Sequence, residues 1–470
     1  MTGGDEAPSA TSQSSESTSP SIRVGILGHV GNENLGDESI IAAVIQNVRR
    51  RWPDAEIRGF TIQPIDTEER HGIVTFPLRR GARTTRVEES SVREWVAPPV
   101  HQTDASPDAS SSGGLKRLVR RIPILFPAAR GALRAQQRLS EVIREIPFLL
   151  SSRKHVEGLD LMIVAGSHQL NDFVGGPWAF PYTVLKWTLL AKNAGAKVVF
   201  LSLGAGPIDT WLGRRFIRQA LELTSYRSYR DVTAKRVVDS LGGTHVDEVV
   251  PDLAFGLDSP VVVKEADRDG PTIVGLNPLP FFADYYWHVS DLEKYEAYVG
   301  KLAAFADWLV ERGCAVHFIP TQLKADPTVI ADVRRRMATI DRPECKKLIV
   351  EPAIRDLNEL RAALAAVDIM VATRYHAIVL SLALHKPVLA VAYHDKSRDI
   401  MKWLGQGSYV VEGDRFAVEE LTDRICLWEK EGDSIGSSLR QQMRGFRAAL
   451  QTQYDEVFGL VDPDSTPRPS

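Results

Sequence analysis

At 470 residues the chain exceeds what one hydrophobic core sustains, so two domains with tails are the expected organisation. A composition 44% hydrophobic and 25% charged offsets chain entropy and excludes a wholly disordered protein, and a formal net charge of −3 supplies no global field for a nucleic-acid partner. Cys314, Cys345 and Cys426 form no C-x-x-C pair, which fits a reducing compartment and gives no support to a paired-cysteine site.

Residues 1–20 are Ser/Thr-rich without apolar periodicity and read as a disordered tail. No signal-like apolar run and no stretch of about 18 apolar residues follows, so the expectation is a cytoplasmic protein without a spanning helix. I-R-V-G-I-L-G-H-V, from Ile22, predicts a strand that empties into G-N-E-N-L-G-D-E at 31–38, with a helix from Ser39. The same grammar recurs at L-D-L-M-I-V-A-G, ending at Gly166, and at A-K-V-V-F-L-S-L-G-A-G-P, turning at Gly204.

Strands alternating with helices predict parallel sheets. After Phe255, P-T-I-V-G-L-N-P opens a second α/β series, so the chain divides into domains at 21–255 and 271–410 with a linker near 256–270. Helices are expected over 415–457, packing back across the domains, and a loose tail over 459–470. Residues 85–154 read as an insertion in the first domain. Its part from Lys116 to Lys154 is basic and apolar by turns, suited either to peripheral contact with anionic lipid or to amphipathic helices whose Arg stems lie along an ordinary surface. Two α/β halves across a cleft place a ligand at the C-terminal ends of both sets of strands.

The polar motifs fall at such ends. In 31–38, Gly31, Asn32, Asn34 and Gly36 make a turn fit to present backbone N–H groups to phosphate or carboxylate, and Asp37 reads either as an acid–base group or as a helix cap. The loop G-S-H-Q-L-N-D-F at 166–173 crowds His168, Gln169, Asn171 and Asp172 after a strand. Gly204 and Gly206 would let backbone approach a substrate. In Y-R-S-Y-R-D, the spacing of Arg227, Arg230 and Asp231 predicts a charge pair with one Arg free; Asp252 follows Pro251 at the domain's end.

The sharpest signal is V-D-I-M-V-A-T-R-Y-H-A-I-V-L-S-L-A-L-H-K-P, residues 367–387, where an apolar strand delivers Arg374 and His376 to the start of an apolar helix. A charged Arg at a buried helix start is costly unless an anion balances it. Y-H-D-K at 393–396 brings Tyr393, His394 and Lys396 to the same edge, Lys396 as a second cation. No H-E-x-x-H and no tight His/Asp cluster supports a metal site, and no cofactor is expected.

These motifs, in this order over about residues 24–405, resemble the polysaccharide pyruvyl transferase family. The resemblance implies a glycosyltransferase-B-like pair of Rossmann-like domains facing across a cleft, with phosphoenolpyruvate as donor and a sugar of a polysaccharide or lipid-linked precursor as acceptor. The family's Arg-x-His signature falls on Arg374 and His376, and Ser167 with His168 interrupts a run that the family commonly fills with glycine. The implied chemistry gives Arg374 and Lys396 the donor's anionic groups, His376 the proton transfers, and Asp37 or Asp172 the acceptor hydroxyl. Two other classes share this architecture: a sugar-nucleotide glycosyltransferase, which should need an aromatic platform and a ribose-binding carboxylate in the second domain that the sequence does not advertise, and a non-catalytic glycan-binding subunit.

Overall fold

The computed structural model describes residues 22–28, 31, 33–81, 143–173, 175–242, 247–258, 270–287 and 289–462. The Ser/Thr-rich start, most of the 85–154 insertion, most of the linker, Asn32 and the end of the chain from 463 lie outside the described residues.

Seven parallel strands form the first sheet: β1 Arg23–Leu27, β2 Glu56–Thr61, β3 Val74–Pro77, β4 Leu161–Ala165, β5 Lys197–Leu203, β6 Tyr226–Tyr229 and β7 Glu248–Val249, in the order β3-β2-β1-β4-β5-β6-β7. Six parallel strands form the second: β8 Ile273–Asn277, β9 Ala315–Phe318, β10 Ile349–Val350, β11 Ile369–Ala372, β12 Val388–Ala392 and β13 Val410–Glu412, in the order β10-β9-β8-β11-β12-β13. Both repeat the doubly wound order, so the chain is α/β with two Rossmann-like units, and in each sheet the strand order reverses beside the first strand. Strand side chains alternate between the two faces, as the two-residue period requires. Leu161, Ile163 and Ala165 enter one core, Met162 and Val164 the other.

The first core runs without interruption from the first sheet into the second. Helix α1, Leu35–Arg51, carries much of this continuity. It begins at Leu35 rather than Ser39, because the Asn34 side chain caps it by accepting from Gly36 N at 3.1 Å; Asp37, one of the two roles open to it in the sequence, is therefore not the cap. The other helices are α2 Pro64–His71, α3 (143–156), α4 Phe180–Asn193, α5 Trp211–Glu222, α6 Val232–Asp239, α7 Leu292–Glu311, α8 Asp326–Arg336, α9 Pro343–Lys346, α10 Leu357–Ala366, α11 Tyr375–Ala383, α12 Asp395–Trp403 and α13 Val418–Gly459. Among the described residues, no helix is long and apolar enough to cross a membrane.

Helix α13 is a 42-residue strap. Leu439, Met443, Phe446, Leu450, Tyr454 and Val457 recur at helical spacing on its buried stripe. Near its start Glu429 pairs with Arg312, just past α7, at 3.0 Å; near its end Gln453 takes the Ser228 hydroxyl of β6, and Phe458 packs on Trp52 beyond α1 with ring centroids 4.7 Å apart. Midway, the Phe446 ring lies 5.1 Å from Phe255 and 4.7 Å from Trp403. Phe446→Ala should therefore cost about 3–5 kcal/mol of stability, read as a lower denaturant midpoint, because a ring wedged between two units leaves a cavity that neither fills alone. A midpoint unchanged from the parent would contradict the strap.

Candidate active site

The loops after β1, β4, β5 and β6 meet those after β8, β9, β11 and β12. The centre of the meeting is a buried ion pair. Arg374 ends the β11 loop and donates from Nε to both Asp326 oxygens at 2.7 and 3.0 Å, from Nη2 to Oδ1 at 2.5 Å, and from Nη1 to the Tyr286 hydroxyl at 2.8 Å. The anion that balances Arg374 is thus internal, which corrects its expected role as the donor's anion holder: most of its donors are already committed. Asp326 also accepts from the amides of Thr321 and Gln322, both at 2.9 Å, and so shapes the β9 loop.

That loop docks the glycine-rich turn of the first unit. Leu35 N donates to Thr321 O at 2.9 Å, Leu323 N donates to Glu33 O at 3.0 Å, and Asn34 bridges to Gln322. Gly31 N goes to Glu38 Oε1 at 3.0 Å, and the other Glu38 oxygen meets His71 Nε2 at 2.6 Å. The anion cradle expected of Gly31, Asn34 and Gly36 is corrected accordingly: the amides of Gly31, Leu35, Gly36 and Glu38 have partners, and Asp37 with Glu38 in the first turn opposes an anion. Gly36 serves packing, since a Cβ there would lie 2.4 Å from the His376 ring.

Three further residues leave the expected site. Asp172 accepts from Asp209 N at 2.9 Å and from Thr210 N and Oγ1 at 2.8 and 2.5 Å, which ties two loops together and removes it as a candidate base. Gln169 is buried and donates to Ala165 O and Gly166 O of its own turn. Arg227 donates to Asp247 at 2.7 Å and to Leu221 O at 2.7 Å, so it is the paired arginine of Y-R-S-Y-R-D.

Arg230 is the other arginine, and its side chain is 1% exposed. Its contacts are loose: 3.4 Å to Asp231, 3.5 Å to Asp252 and 3.4 Å to His168 Nδ1. Asp231 is chiefly the N-cap of α6, accepting from Ala234 N at 2.6 Å, and Asp252 accepts from Ala254 N through Oδ1. A Cβ on Gly204 would strike the Arg230 guanidinium at 2.6 Å and one on Gly206 the His168 ring at 2.4 Å. Those glycines let site side chains, rather than substrate, lie on the backbone; Gly204 N and Gly206 N donate to Ser167 O and Leu170 O.

Arg230 Nε, Asp252 Oδ2 and His376 Nε2 are buried without a hydrogen-bond partner among the described residues. His376 Nε2 is 3.9 Å from Asp252 Oδ2, which Arg230 approaches through Nη1, while Arg230 Nε lies beside Asp231. Lys396, near the start of α12, completes the group, its ammonium 5.3 Å from the Tyr375 ring that Arg230 also overlies at 4.7 Å. Buried polar atoms left unpaired cost about 1–3 kcal/mol each, and their convergence marks where a polar ligand fits.

Burial dominates the titration of this group. It pushes Lys396 down to about 7, helped by Arg230, and pushes Asp37 up to about 7, opposed by the Ser167 hydroxyl 3.2 Å away. Ser167 holds φ +58, a left-handed backbone, so serine at this point of the expected glycine run accepts strain and gains a donor to Asp37. Burial and the cations Arg230, Lys396 and Arg374 keep His376 well below its ordinary range. Its imidazole is neutral at pH 7, so of the proton transfers expected of it the accepting one is available. His168 is likewise held neutral by burial, Lys396 and Arg230.

A model of the family described as polysaccharide pyruvyl transferase matches residues 34–395, well over half of the chain. The chain belongs to the polysaccharide pyruvyl transferase family. A search of curated proteins finds no match for this pyruvyl transferase family member. Among solved structures it is similar to a UDP-GlcNAc 2-epimerase from Neisseria meningitidis bound to UDP-GlcNAc, at 10% identity and TM-score 0.52 over 93% of this chain and 99% of that one. A putative UDP-N-acetylglucosamine 2-epimerase from Listeria monocytogenes gives 10% and 0.52 over 96% and 99%, and a glycosyltransferase from Rickettsia africae 10% and 0.50 over 95% and 100%. At such identities the likeness is one of fold, two Rossmann-like domains facing across a cleft.

This family member also carries aromatic side chains at a strand end of its second domain. The loop after β8 carries Phe281, Phe282, Tyr285, Tyr286 and Trp287, and Tyr286 reaches Arg374. Partly buried aromatic rings that the sequence did not advertise are therefore present in the second domain. Their signal was five aromatics within seven residues at a strand's end.

The ion pair under the site gives a direct test. Arg374→Ala leaves Asp326 buried and uncompensated and should lower stability by about 3–5 kcal/mol. Chemical denaturation measures this, and a loss of under about 1 kcal/mol would show that the pair is not the organising contact.

Proposed function

We propose that the cleft transfers the enolpyruvyl group of phosphoenolpyruvate to a glycan, forming a ketal and releasing phosphate. The observation that supports this most is the convergence of Arg230, whose buried Nε lacks a hydrogen-bond partner, with Lys396 over one aromatic ring, two cations suited to a small multiply charged anion, beside the unpaired Nε2 of neutral His376, suited to accept a proton. Arg230 and Lys396 take the phosphate and carboxylate; Arg374 positions the turn. Asp37, which keeps its proton up to about pH 7, supplies that proton to the methylene carbon of the donor. The acceptor hydroxyl oxygen then bonds to the central carbon while neutral His376 takes its proton. The bond from that carbon to the phosphate oxygen breaks with the electron pair on phosphate, which takes the proton from His376; the oxygen of a second hydroxyl then bonds to the same carbon and closes the ketal, its proton passing to the Asp37 carboxylate.

Phosphate release from phosphoenolpyruvate that depends on acceptor, with the matching mass added to the glycan, tests the reading; turnover of a sugar nucleotide instead would favour the glycosyltransferase class. His376→Ala should lower turnover by more than about tenfold, or about 1.4 kcal/mol in barrier, and Arg230→Ala should lower kcat/KM by about 100-fold. Because burial lowers Lys396 to about 7, its charge is present below that pH and fades above it in the empty site. The KM for phosphoenolpyruvate should therefore rise from about pH 7 upward in the parent, and Lys396→Arg should flatten that rise. A parent KM flat across this range would remove Lys396 from the donor site.

A lipid-linked acceptor would meet the cleft at a membrane. In α3, the described end of the basic segment, Ile143, Ile146 and Leu150 are exposed beside exposed Arg144, Arg153 and Lys154, a face suited to anionic lipid. Co-sedimentation with phosphatidylglycerol vesicles should weaken when Ile146 and Leu150 are both changed to Ser. Equal sedimentation of parent and variant would dismiss this face.

A further inference from the structure

P-L-P-F-F-A-D-Y-Y-W at 278–287 lies between β8 and α7, at the mouth of the second sheet. The loop is built rather than slack. Phe281 N donates to Leu279 O at 2.7 Å, Trp287 N to Ala283 O at 2.7 Å, and Asp291 N to Phe282 O at 3.0 Å. Phe282 holds φ +64, a left-handed backbone that a bulky side chain rarely adopts and that costs about 1–3 kcal/mol. Strain of this kind persists where surrounding contacts demand it, and it clusters at ligand sites.

The rings are arranged in tiers. Phe281 is buried at the bottom, and Trp287 stands edge-on to it at 4.9 Å and to Tyr393 at 5.7 Å. Phe282, Tyr286, Trp287 and Tyr393 remain only partly buried, unlike core rings such as Phe305 or Phe318. This tier adjoins the cation group. The Tyr286 hydroxyl accepts from Arg374, whose guanidinium carbon is 5.0 Å from the Tyr286 ring, and Tyr393 lies three residues before Lys396.

We infer that this aromatic loop is the acceptor subsite, where a pyranose ring stacks on Trp287 with Tyr286 and Tyr393 beside it. The inference rests on the pyruvyl-transfer reading, which assigns the cations to the donor and leaves the adjoining wall for the acceptor. A pyranose offers one face of C–H groups and a rim of hydroxyls. An indole takes the first and phenol hydroxyls take the second, a pairing of apolar body with polar handle that aliphatic side chains cannot supply. Stacking also tolerates an acceptor embedded in a longer glycan, because the contact uses a ring face and leaves the chain ends clear.

Saturation-transfer NMR with the full-length protein and the methyl glycosides of glucose, galactose and mannose reads the subsite directly, and calorimetry with phosphoenolpyruvate reads the donor site. The parent should saturate the ring C–H protons of at least one glycoside. Trp287→Leu should weaken that binding by about tenfold and Trp287→Phe by less, while donor affinity stays within about twofold and the thermal midpoint shows both variants folded. Three outcomes overturn the subsite: no glycoside binds the parent, Trp287→Leu binds as well as the parent, or UDP displaces the glycoside as a nucleotide platform would require. Donor binding with Trp287-independent glycoside binding sinks the subsite and leaves the transferase reading standing; Trp287-dependent glycoside binding without donor binding sinks the transferase reading and with it the acceptor role, leaving only a glycan-binding wall.

Discussion

The Asp326 carboxylate is the constraint on which the site depends. It accepts the Arg374 guanidinium on one side and the amides of Thr321 and Gln322 on the other, so it joins the β11 turn to the β9 loop. The shaped β9 loop then hydrogen-bonds Leu35 and Glu33, which fixes where α1 starts. From that start follow the contact of Gly36 with His376 and the position of Asp37. A buried ion pair contributes little to stability against an apolar alternative, yet once present it cannot be broken cheaply. Here it spends that rigidity on geometry, holding two loops of one unit and a turn of the other in a single register.

Around this fixed frame sits a group that burial disfavours. Arg230 and Lys396 are like charges sharing one aromatic ring, which attracts both and holds them on the same buried surface. Asp37, Asp231 and Asp252 supply the opposing charge without a close pairing to Lys396, and burial shifts Lys396 and Asp37 toward their neutral forms. In the folded chain Asp37 keeps its proton up to about pH 7, whereas an unfolded chain releases it near 3.8, so its contribution to stability declines as pH rises through that window. Such a group is unfavourable as structure, and in the proposed transfer it is the proton source. The glycines at 36, 204 and 206 belong to the same economy of space: each leaves room for His376, Arg230 or His168 to lie on backbone.

Much of this was legible in residue order. The strand–loop–helix grammar gave two parallel sheets, and polar motifs at strand ends located Asp37, His168, Arg230, Asp252, His376 and Lys396, which the fold does bring together. The misreadings share a cause. Arg374, Asp172 and Arg227 carry the right chemistry at the right strand ends, but each is consumed by a partner from elsewhere in the chain: Asp326 is 48 residues from Arg374, and Thr210 is 38 from Asp172. Gln169 instead turns back onto the carbonyls of its own turn. Spacing along a chain cannot reveal a partner supplied by another loop. The aromatic loop at 281–287 was overlooked for the opposite reason, since a run of large apolar rings reads as core until exposure is known.

By itself, then, the sequence determined the fold class, the order of the elements and the set of strand ends from which a site could be drawn, because periodicity and turn chemistry are local properties of the chain. Only the tertiary structure decided which of those residues are structural and which are left with unpaired atoms. That division depends on long-range partners and on burial, which together set whether Arg374 is balanced from within, whether His376 holds a proton, and which charges remain for a ligand.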